Sequence, residues 1–232
     1  MQQITIPRNR NNFQVQEAYK TLRSNVEFSG TDMQVICITS ALPGDGKSTT
    51  SFELAKSFAE NGKKTLLIDA DLRKSVMRKH DRGGNAQYGL THYLIGRSSY
   101  DDTVCETNMS NLYIMFAGQF PPNPSELLGS SKFQDLVSRV REEYDVIIID
   151  TPPVGSVIDA AVVSRICDGT VLVLKDREIS YRLAQKIKGQ LEVAGAKILG
   201  CVLNGVDIST KGKYGKYYGK YYGKYYGSYY GK

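Results

Sequence analysis

Short runs of consecutive apolar residues recur along the chain, and longer amphipathic segments separate them. Most of these runs are continuous rather than alternating, which is typical of strands buried on both faces of a parallel sheet. Strand followed by helix, repeated, predicts a doubly wound α/β domain with a mostly parallel sheet and helices on both faces. The predicted strands are 34–39, 64–69, 112–116, 145–150, 169–174 and 197–203, and the predicted helices lie near 14–27, 47–61, 87–95, 131–143, 157–166 and 180–194.

The chain divides into three predicted parts: an N-terminal helical segment (1–29), the α/β domain (30–208) and a C-terminal segment (209–232). The net charge of +6 resides in residues 211–232, which hold six lysines and no acidic residue. The remaining 24 basic residues balance the 24 acidic ones, so the domain lacks the excess of positive charge typical of a nucleic-acid binder. No apolar run approaches the length of a membrane span, and the four cysteines form no metal or disulfide motif, which favours a reducing compartment.

The C-terminal segment repeats the tetrapeptide KYYG at 216–219, 220–223 and 224–227, then continues as SYYG at 228–231. A glycine at every fourth position disfavours a helix, and like charges with few aliphatic side chains predict a disordered tail. Nine of the 16 tyrosines lie here, namely Tyr214, Tyr217, Tyr218, Tyr221, Tyr222, Tyr225, Tyr226, Tyr229 and Tyr230.

A glycine-rich segment, Ala41 to Thr49, follows the first predicted strand and opens the next helix. This context is the one that a phosphate-binding loop requires, although Ala41 replaces the usual first glycine. We expect Lys47 to reach the β- and γ-phosphates of ATP and the Ser48 hydroxyl to bind Mg²⁺, so that the domain is P-loop NTPase-like. The predicted nucleotide-binding residues are Gly44, Asp45, Gly46, Lys47, Ser48 and Thr49.

Aspartates lie at the C-terminal ends of two further predicted strands, at the sheet edge where doubly wound folds bind ligands. Asp69 is a candidate base that accepts a proton from an incoming hydroxyl, whereas Asp71 and the Walker B aspartate Asp150 are candidate Mg²⁺ ligands. Arg73 either serves the same site or merely pairs with Asp71.

Two weaker patterns have both a functional and an ordinary interpretation. Asn204 follows the last predicted strand and either hydrogen-bonds the adenine or belongs to a simple Asn-Gly turn. Glu17, Lys20 and Arg23 share one face of the N-terminal helix, where they either contact another subunit or form a solvated charged face.

Taken together, these motifs resemble those of the bacterial tyrosine kinases of capsule and exopolysaccharide assembly, the BY-kinases. The matching segments are A-L-P-G-D-G-K-S-T at 41–49, D-A-D-L-R at 69–73, D-T-P-P at 150–153, P-P-N-P-S-E-L-L at 121–128 and the tyrosine cluster. The family's E-x-x-R-x-x-R subunit contact is matched at Glu17 and Arg23, with Lys20 in the middle position.

The resemblance implies an ATP- and Mg²⁺-dependent kinase with Lys47, Asp69, Asp71 and Arg73 as catalytic residues. It also implies phosphorylation of the tail in the active site of a neighbouring subunit, within a homo-oligomeric ring that is commonly an octamer. Implied partners are the cytoplasmic tail of a transmembrane adaptor, a phosphotyrosine phosphatase and protein substrates of polysaccharide synthesis. The chain would be cytoplasmic and recruited to the inner face of the membrane through the adaptor.

Two other classes of protein share this core. Partition ATPases of the Min/Par type typically carry an additional lysine early in the phosphate loop, and Leu42 to Gly46 contain none. A non-enzymatic, nucleotide-gated scaffold would use the lysine- and tyrosine-rich tail to bind an anionic membrane surface or polysaccharide. The aspartates at 69 and 71 have less purpose in a scaffold, so the kinase is the favoured prediction.

Overall fold

The computed structural model describes residues 1–7, 12–30 and 32–206, and these contain a single eight-stranded sheet. The strand order is β1-β4-β5-β3-β6-β2-β7-β8, and only the β4–β5 pair is antiparallel. The strands are β1 (Gln2–Ile4), β2 (Val35–Ser40), β3 (Thr65–Asp69), β4 (Val104–Thr107), β5 (Leu112–Met115), β6 (Val146–Asp150), β7 (Gly169–Lys175) and β8 (Ile198–Asn204). The mostly parallel sheet is confirmed, and the six predicted strands match to within one residue at each end.

Helices cover both faces of the sheet, as the strand–helix alternation predicts. Phe52 and Phe58 of α2 pack on one face, while Phe133 and Val140 of α6 pack on the other. The helices are α1 (Phe13–Glu27), α2 (Lys47–Glu60), α3 (Leu90–Leu94), α4 (Tyr100–Thr103), α5 (Pro124–Leu128), α6 (Ser131–Glu143), α7 (Asp159–Ser164) and α8 (Tyr181–Val193), with a 3₁₀ turn at Met77–His80. The predicted helices at 87–95 and 157–166 are shorter than expected, and α4, α5 and the 3₁₀ turn are additional.

The N-terminal segment is not purely helical. α1 packs against α2, but Gln2–Ile4 form the edge strand β1, which pairs with β4. Of these three residues only Ile4 is buried, so the strand has almost no hydrophobic signature in the sequence. Among the described residues, no helix combines the length and apolar character that crossing a bilayer requires. The tail and its nine tyrosines lie outside the described residues.

The parallel strands bring the predicted site residues to one sheet edge. β2, β3, β6 and β8 end respectively before the phosphate loop, at Asp69, at Asp150 and at Asn204. Asp69 and Asp150 are direct register partners in neighbouring strands. The carboxyl edge of the sheet is therefore the place where the predicted chemistry converges.

Candidate active site

Two glycines give the phosphate loop its shape. Gly44 and Gly46 both have a φ of 91°, in the left-handed region that other residues rarely adopt. Gly46 is the N-cap of α2, so the loop leads directly into a helix N-terminus that favours anions. The Asp45 side chain turns back and accepts a hydrogen bond from the Leu42 amide at 2.8 Å, which fixes the loop. Burial raises the pKa of Asp45, and Thr49 is exposed.

Lys47 lies at the centre of the charged cluster. Its Nζ lies 2.8 Å from Asp71 Oδ2 and 3.6 Å from Asp150 Oδ2, and it donates a hydrogen bond to Ser48 Oγ at 3.1 Å. Burial alone would lower the pKa of this lysine, but the carboxylates of Asp150 and Asp71 outweigh burial and raise it. Lys47 therefore stays cationic in a buried site, where a charge acts strongly on a phosphoryl group.

Asp69 is fully buried at the end of β3. One of its oxygens accepts a hydrogen bond from the Asp71 amide at 3.2 Å, and the other accepts one from the Ser75 hydroxyl. Burial raises the pKa of Asp69 to about 7, with the Asp150 carboxylate adding to the rise. A carboxylate that titrates near neutral pH is suited to general-base chemistry, because it gains basicity without being protonated throughout.

Asp150 offers one oxygen to a metal. Its Oδ1 accepts a hydrogen bond from Ser51 Oγ at 3.0 Å, whereas the buried Oδ2 has no hydrogen-bond partner among the described residues. Burial raises the pKa of this carboxyl group, and Lys47 opposes the rise. The Oδ2 atom makes no hydrogen bond with the described residues, although Lys47 Nζ lies 3.6 Å away, and the Ser48 hydroxyl and Asp71 are nearby. Such an arrangement fits Mg²⁺, which usually takes one or two carboxylates and keeps several waters.

Arg73 pairs with Asp159, a partner that the sequence analysis missed, rather than with Asp71. Its Nε and Nη2 donate to the two oxygens of the buried Asp159 at 2.7 and 3.1 Å, and Nη2 also donates to Ser125 Oγ at 2.9 Å. Ser125 in turn donates to Asp159 at 2.6 Å. The proline-rich segment 121–128 thus ties α5, α7 and the loop after β3 together, a structural role that its sequence alone does not indicate.

Asn204 contacts the phosphate loop. Its Nδ2 donates to the Asp45 carbonyl at 2.8 Å, and a Cβ placed on Gly46 would lie only 2.0 Å from that nitrogen. The close approach gives Gly46 a second reason to be glycine. Recognition of adenine by Asn204 stays a prediction, since the structure places this amide against the loop backbone.

The charged face of α1 is divided between solvent and the chain's own interior. Lys20 Nζ lies 2.8 Å from Glu17 Oε1, with both side chains accessible to solvent. Arg23 instead donates to the Ser57 carbonyl in α2 at 2.9 Å, and its side chain is only 16% exposed. Glu17 and Lys20 are therefore open to another subunit, whereas Arg23 also secures α1 within its own chain.

Two serines that support the aspartates were not predicted. Ser51 lies four residues after Lys47 on the same face of α2, a helical spacing that could have identified it. Ser75, the partner of Asp69, lies in an irregular loop, and no periodic pattern points to it.

Comparisons with known proteins agree with this geometry. The family model for the AAA domain matches residues 33–182. The tyrosine-protein kinase CpsD of Streptococcus agalactiae is 44% identical over 204 residues, which cover 87% of this chain and 89% of that protein. The structure of the kinase domain of Escherichia coli tyrosine kinase ETK superposes with a TM-score of 0.77 at 30% identity, over 89% of this chain and 90% of that one.

A more distant match shows the fold alone. The septum site-determining protein MinD of Pyrococcus horikoshii, solved with Mg-ADP, superposes with a TM-score of 0.60 at 24% identity, covering 73% of this chain and 69% of that one. The fold is thus shared with this septum site-determining protein, while identity over most of the chain lies with the kinases. The chain belongs to the AAA-domain family and, within it, to the bacterial tyrosine-protein kinases.

Proposed function

We propose that this chain is an ATP-dependent protein-tyrosine kinase that phosphorylates the tyrosines of its own C-terminal segment, from one subunit to another. The observation that carries the proposal is the position of Asp69, a buried carboxylate with a pKa of about 7, near the phosphate-loop lysine and the two aspartates that contact this lysine. Kinase chemistry needs a base for the acceptor hydroxyl beside a cationic phosphate site, and these residues supply both.

In the proposed reaction a tyrosine phenol attacks the γ-phosphorus of ATP. The new bond joins the phenol oxygen to phosphorus, the bond between the γ-phosphorus and the bridging oxygen breaks, and ADP leaves with that oxygen. Asp69 accepts the phenol proton, while Lys47 offsets the charge of the transferred phosphoryl group. Ser48, Asp71 and Asp150 would hold Mg²⁺, which when bound neutralises charge on the β- and γ-phosphate oxygens. Arg73 contributes as a positioning residue, because its two hydrogen bonds to the Asp159 carboxylate fix the loop that carries Asp71.

Intact mass after incubation with Mg-ATP tests the kinase proposal. We expect mass increments of one phosphate each, located in the C-terminal segment, and their loss in a variant with all nine tail tyrosines changed to phenylalanine. Release of free phosphate without protein modification would instead favour the partition-type ATPase. Absence of both reactions would favour the nucleotide-gated scaffold.

We further propose a homo-oligomer, a ring such as an octamer, in which the partly exposed Glu17–Lys20 pair contacts the next subunit. Light scattering of Glu17→Ala/Lys20→Ala tests this contact and should show a smaller assembly that still binds nucleotide. Lys188→Ala/Glu192→Ala, which removes a comparable exposed helical pair 2.6 Å apart on α8, is the matched control and should keep the wild-type mass. Equal masses for all three proteins would make Glu17 and Lys20 a solvated face.

The remaining parts of the proposal rest on the family resemblance. The division into 1–29, 30–208 and 209–232 assigns oligomerisation, catalysis and phosphate acceptance to successive segments. The proposed partners are a transmembrane adaptor that activates the kinase at the inner face of the membrane, a phosphotyrosine phosphatase and proteins of capsule or exopolysaccharide synthesis. Co-purification from membranes with and without the adaptor's cytoplasmic tail tests the recruitment.

A further inference from the structure

A small pocket adjoins the catalytic aspartates on the side away from Asn204. It has a volume of about 230 Å³, and its wall includes Asp71, Arg73, Lys74, Arg78, Gly118 and Phe120. We call it the basic pocket. It is formed by the loops that follow β3 and β5, whereas Asn204 is the last residue of β8, on the other side of the phosphate loop. Drug-sized ligands usually occupy about 300 Å³ or more, so the basic pocket suits a single side chain better than a nucleotide.

The charges of the pocket wall do not cancel. The wall holds three cationic side chains and one carboxylate: Asp71 shares Lys47 with Asp150, and Arg73 is paired with the buried Asp159. Lys74 and Arg78 form no ion pair with a carboxylate in the part of the chain that the structure describes, and Arg78 instead donates to the Ala86 carbonyl. Two uncompensated cations within one small pocket favour an anionic occupant.

The exposed ring of Phe120 at the rim of the basic pocket indicates which kind of anion would bind there. Phe120 lines the pocket although 67% of it is exposed to solvent, so its ring offers a face or edge to an incoming side chain. Aromatic pairs add favourable energy beyond the area they bury. An occupant with both an aromatic ring and a phosphate group would use Phe120 and the two cations together, whereas inorganic phosphate would use only the cations.

The chain itself carries a segment of this chemistry once it is phosphorylated. The unmodified tail bears six lysines, which Lys74 and Arg78 would repel, but each phosphotyrosine adds a charge of about −1.5 to −2. Tyrosine pairs recur every four residues, a step that spans at most about 14 Å of extended chain. Since Asp71 belongs both to the pocket wall and to the Lys47 cluster, this step is compatible with one tyrosine in the pocket and another at Asp69.

We propose that the basic pocket binds a phosphotyrosine of the C-terminal segment through Lys74, Arg78 and Phe120, and so holds a neighbouring tyrosine of the repeat for the next transfer. The inference rests on the proposed kinase function. Phosphorylation of the tail then promotes its own continuation: the first phosphate on a tail is added slowly, and later ones follow faster.

Two peptides with the sequence of residues 215–224, one unmodified and one phosphorylated at Tyr222, test the pocket. Their binding to the full-length protein is measured by fluorescence anisotropy without nucleotide, so that no transfer occurs. We expect the phosphopeptide to bind about tenfold more tightly, as two partly exposed ion pairs and an aromatic contact allow. Lys74→Gln/Arg78→Gln should abolish this preference.

Lys79→Gln/Arg82→Gln is the matched control, because it removes the same charge from exposed positions of the same segment outside the pocket wall. It should keep the preference for the phosphopeptide. Equal binding of the two peptides to the wild type, or a preference that survives in Lys74→Gln/Arg78→Gln, would overturn the inference. Thermal melting of both variants verifies that they are folded.

Transfer of phosphate to the same peptides separates the two proposals. With Mg-ATP, the wild type should phosphorylate the phosphopeptide with a KM about tenfold lower than that of the unmodified peptide. Lys74→Gln/Arg78→Gln should give the two peptides equal KM values while keeping the wild-type kcat on the unmodified one. Tighter phosphopeptide binding without any transfer would refute the kinase but keep the pocket, whereas transfer without discrimination would refute the pocket alone.

Discussion

Replacing the buried Asp69 by asparagine should stabilise the protein while it abolishes transfer. The folded-state pKa of about 7 lies above the ordinary value of 3.8, so Asp69 binds a proton more tightly in the folded chain. Protonated Asp69 therefore stabilises the folded chain. This stabilisation is fully present below about pH 4 and is lost as the pH rises through about 7. The difference between these pKa values corresponds to about 4 kcal/mol at about 1.4 kcal/mol per pH unit.

Asparagine avoids this loss because it does not ionise. Its oxygen can still accept from the Asp71 amide, and its NH₂ group can donate to the Ser75 hydroxyl. In urea unfolding without Mg²⁺ or nucleotide, the stability gained by Asp69→Asn should be about 3 kcal/mol larger at pH 8 than at pH 5. The wild-type transfer rate should rise with pH through about 7 as the base ionises.

Asp135→Asn, the same substitution at an exposed position of α6, is the control and should show no pH-dependent gain. A pH-independent difference between Asp69→Asn and the wild type would refute the assignment of a raised pKa to this carboxyl group. Transfer at the wild-type rate by Asp69→Asn would refute its role as the base.

Three further substitutions probe the other members of the site. Lys47→Met should slow labelling of the tail from radioactive ATP by about 10²–10³-fold while circular dichroism shows a folded protein, because it removes the charge that faces the phosphoryl group. Asp150→Asn should raise the Mg²⁺ concentration needed for nucleotide binding by about tenfold, and a defect identical to that of Asp69→Asn would contradict their separate roles. Asn204→Ala should weaken ATP and tripolyphosphate binding equally, by about fivefold in calorimetry, if its bond to the Asp45 carbonyl fixes the loop; a loss confined to ATP would indicate adenine recognition.

The sheet and the core of the site could be predicted because their signals are local. A continuous apolar run followed by a polar residue marks both a buried strand and the end of that strand, which placed Asp69 and Asp150 at one edge before their register was known. β1 and β4 lacked such a signal. β1 buries a single residue, and β4 includes an exposed glutamate among only four residues.

The hydrogen-bond partners of the site residues could not be predicted from the sequence, because they depend on the tertiary fold. Arg73 precedes Asp159 by 86 residues, and only the packing of α5 and α7 brings them together. Arg23 followed the helical spacing of a charged face, but α2 lies close enough for its guanidinium to bind the Ser57 carbonyl. Periodicity predicts which face of a helix a residue occupies, and it does not say what covers that face.

The strand order also sets the distance that the C-terminal segment must span to bring a tyrosine to the Asp69 of its own chain. Four strand spacings separate the end of β8 from the end of β3, a distance of about 19 Å. Tyr214 follows Asn204 by ten residues, and a fully extended tether of that length reaches about 34 Å. The tether is therefore long enough for every tyrosine of the tail to reach the Asp69 of its own subunit. Tether length permits reaction within a chain as well as between chains, so the proposed transfer between subunits requires something other than tether length to prevent reaction within one chain.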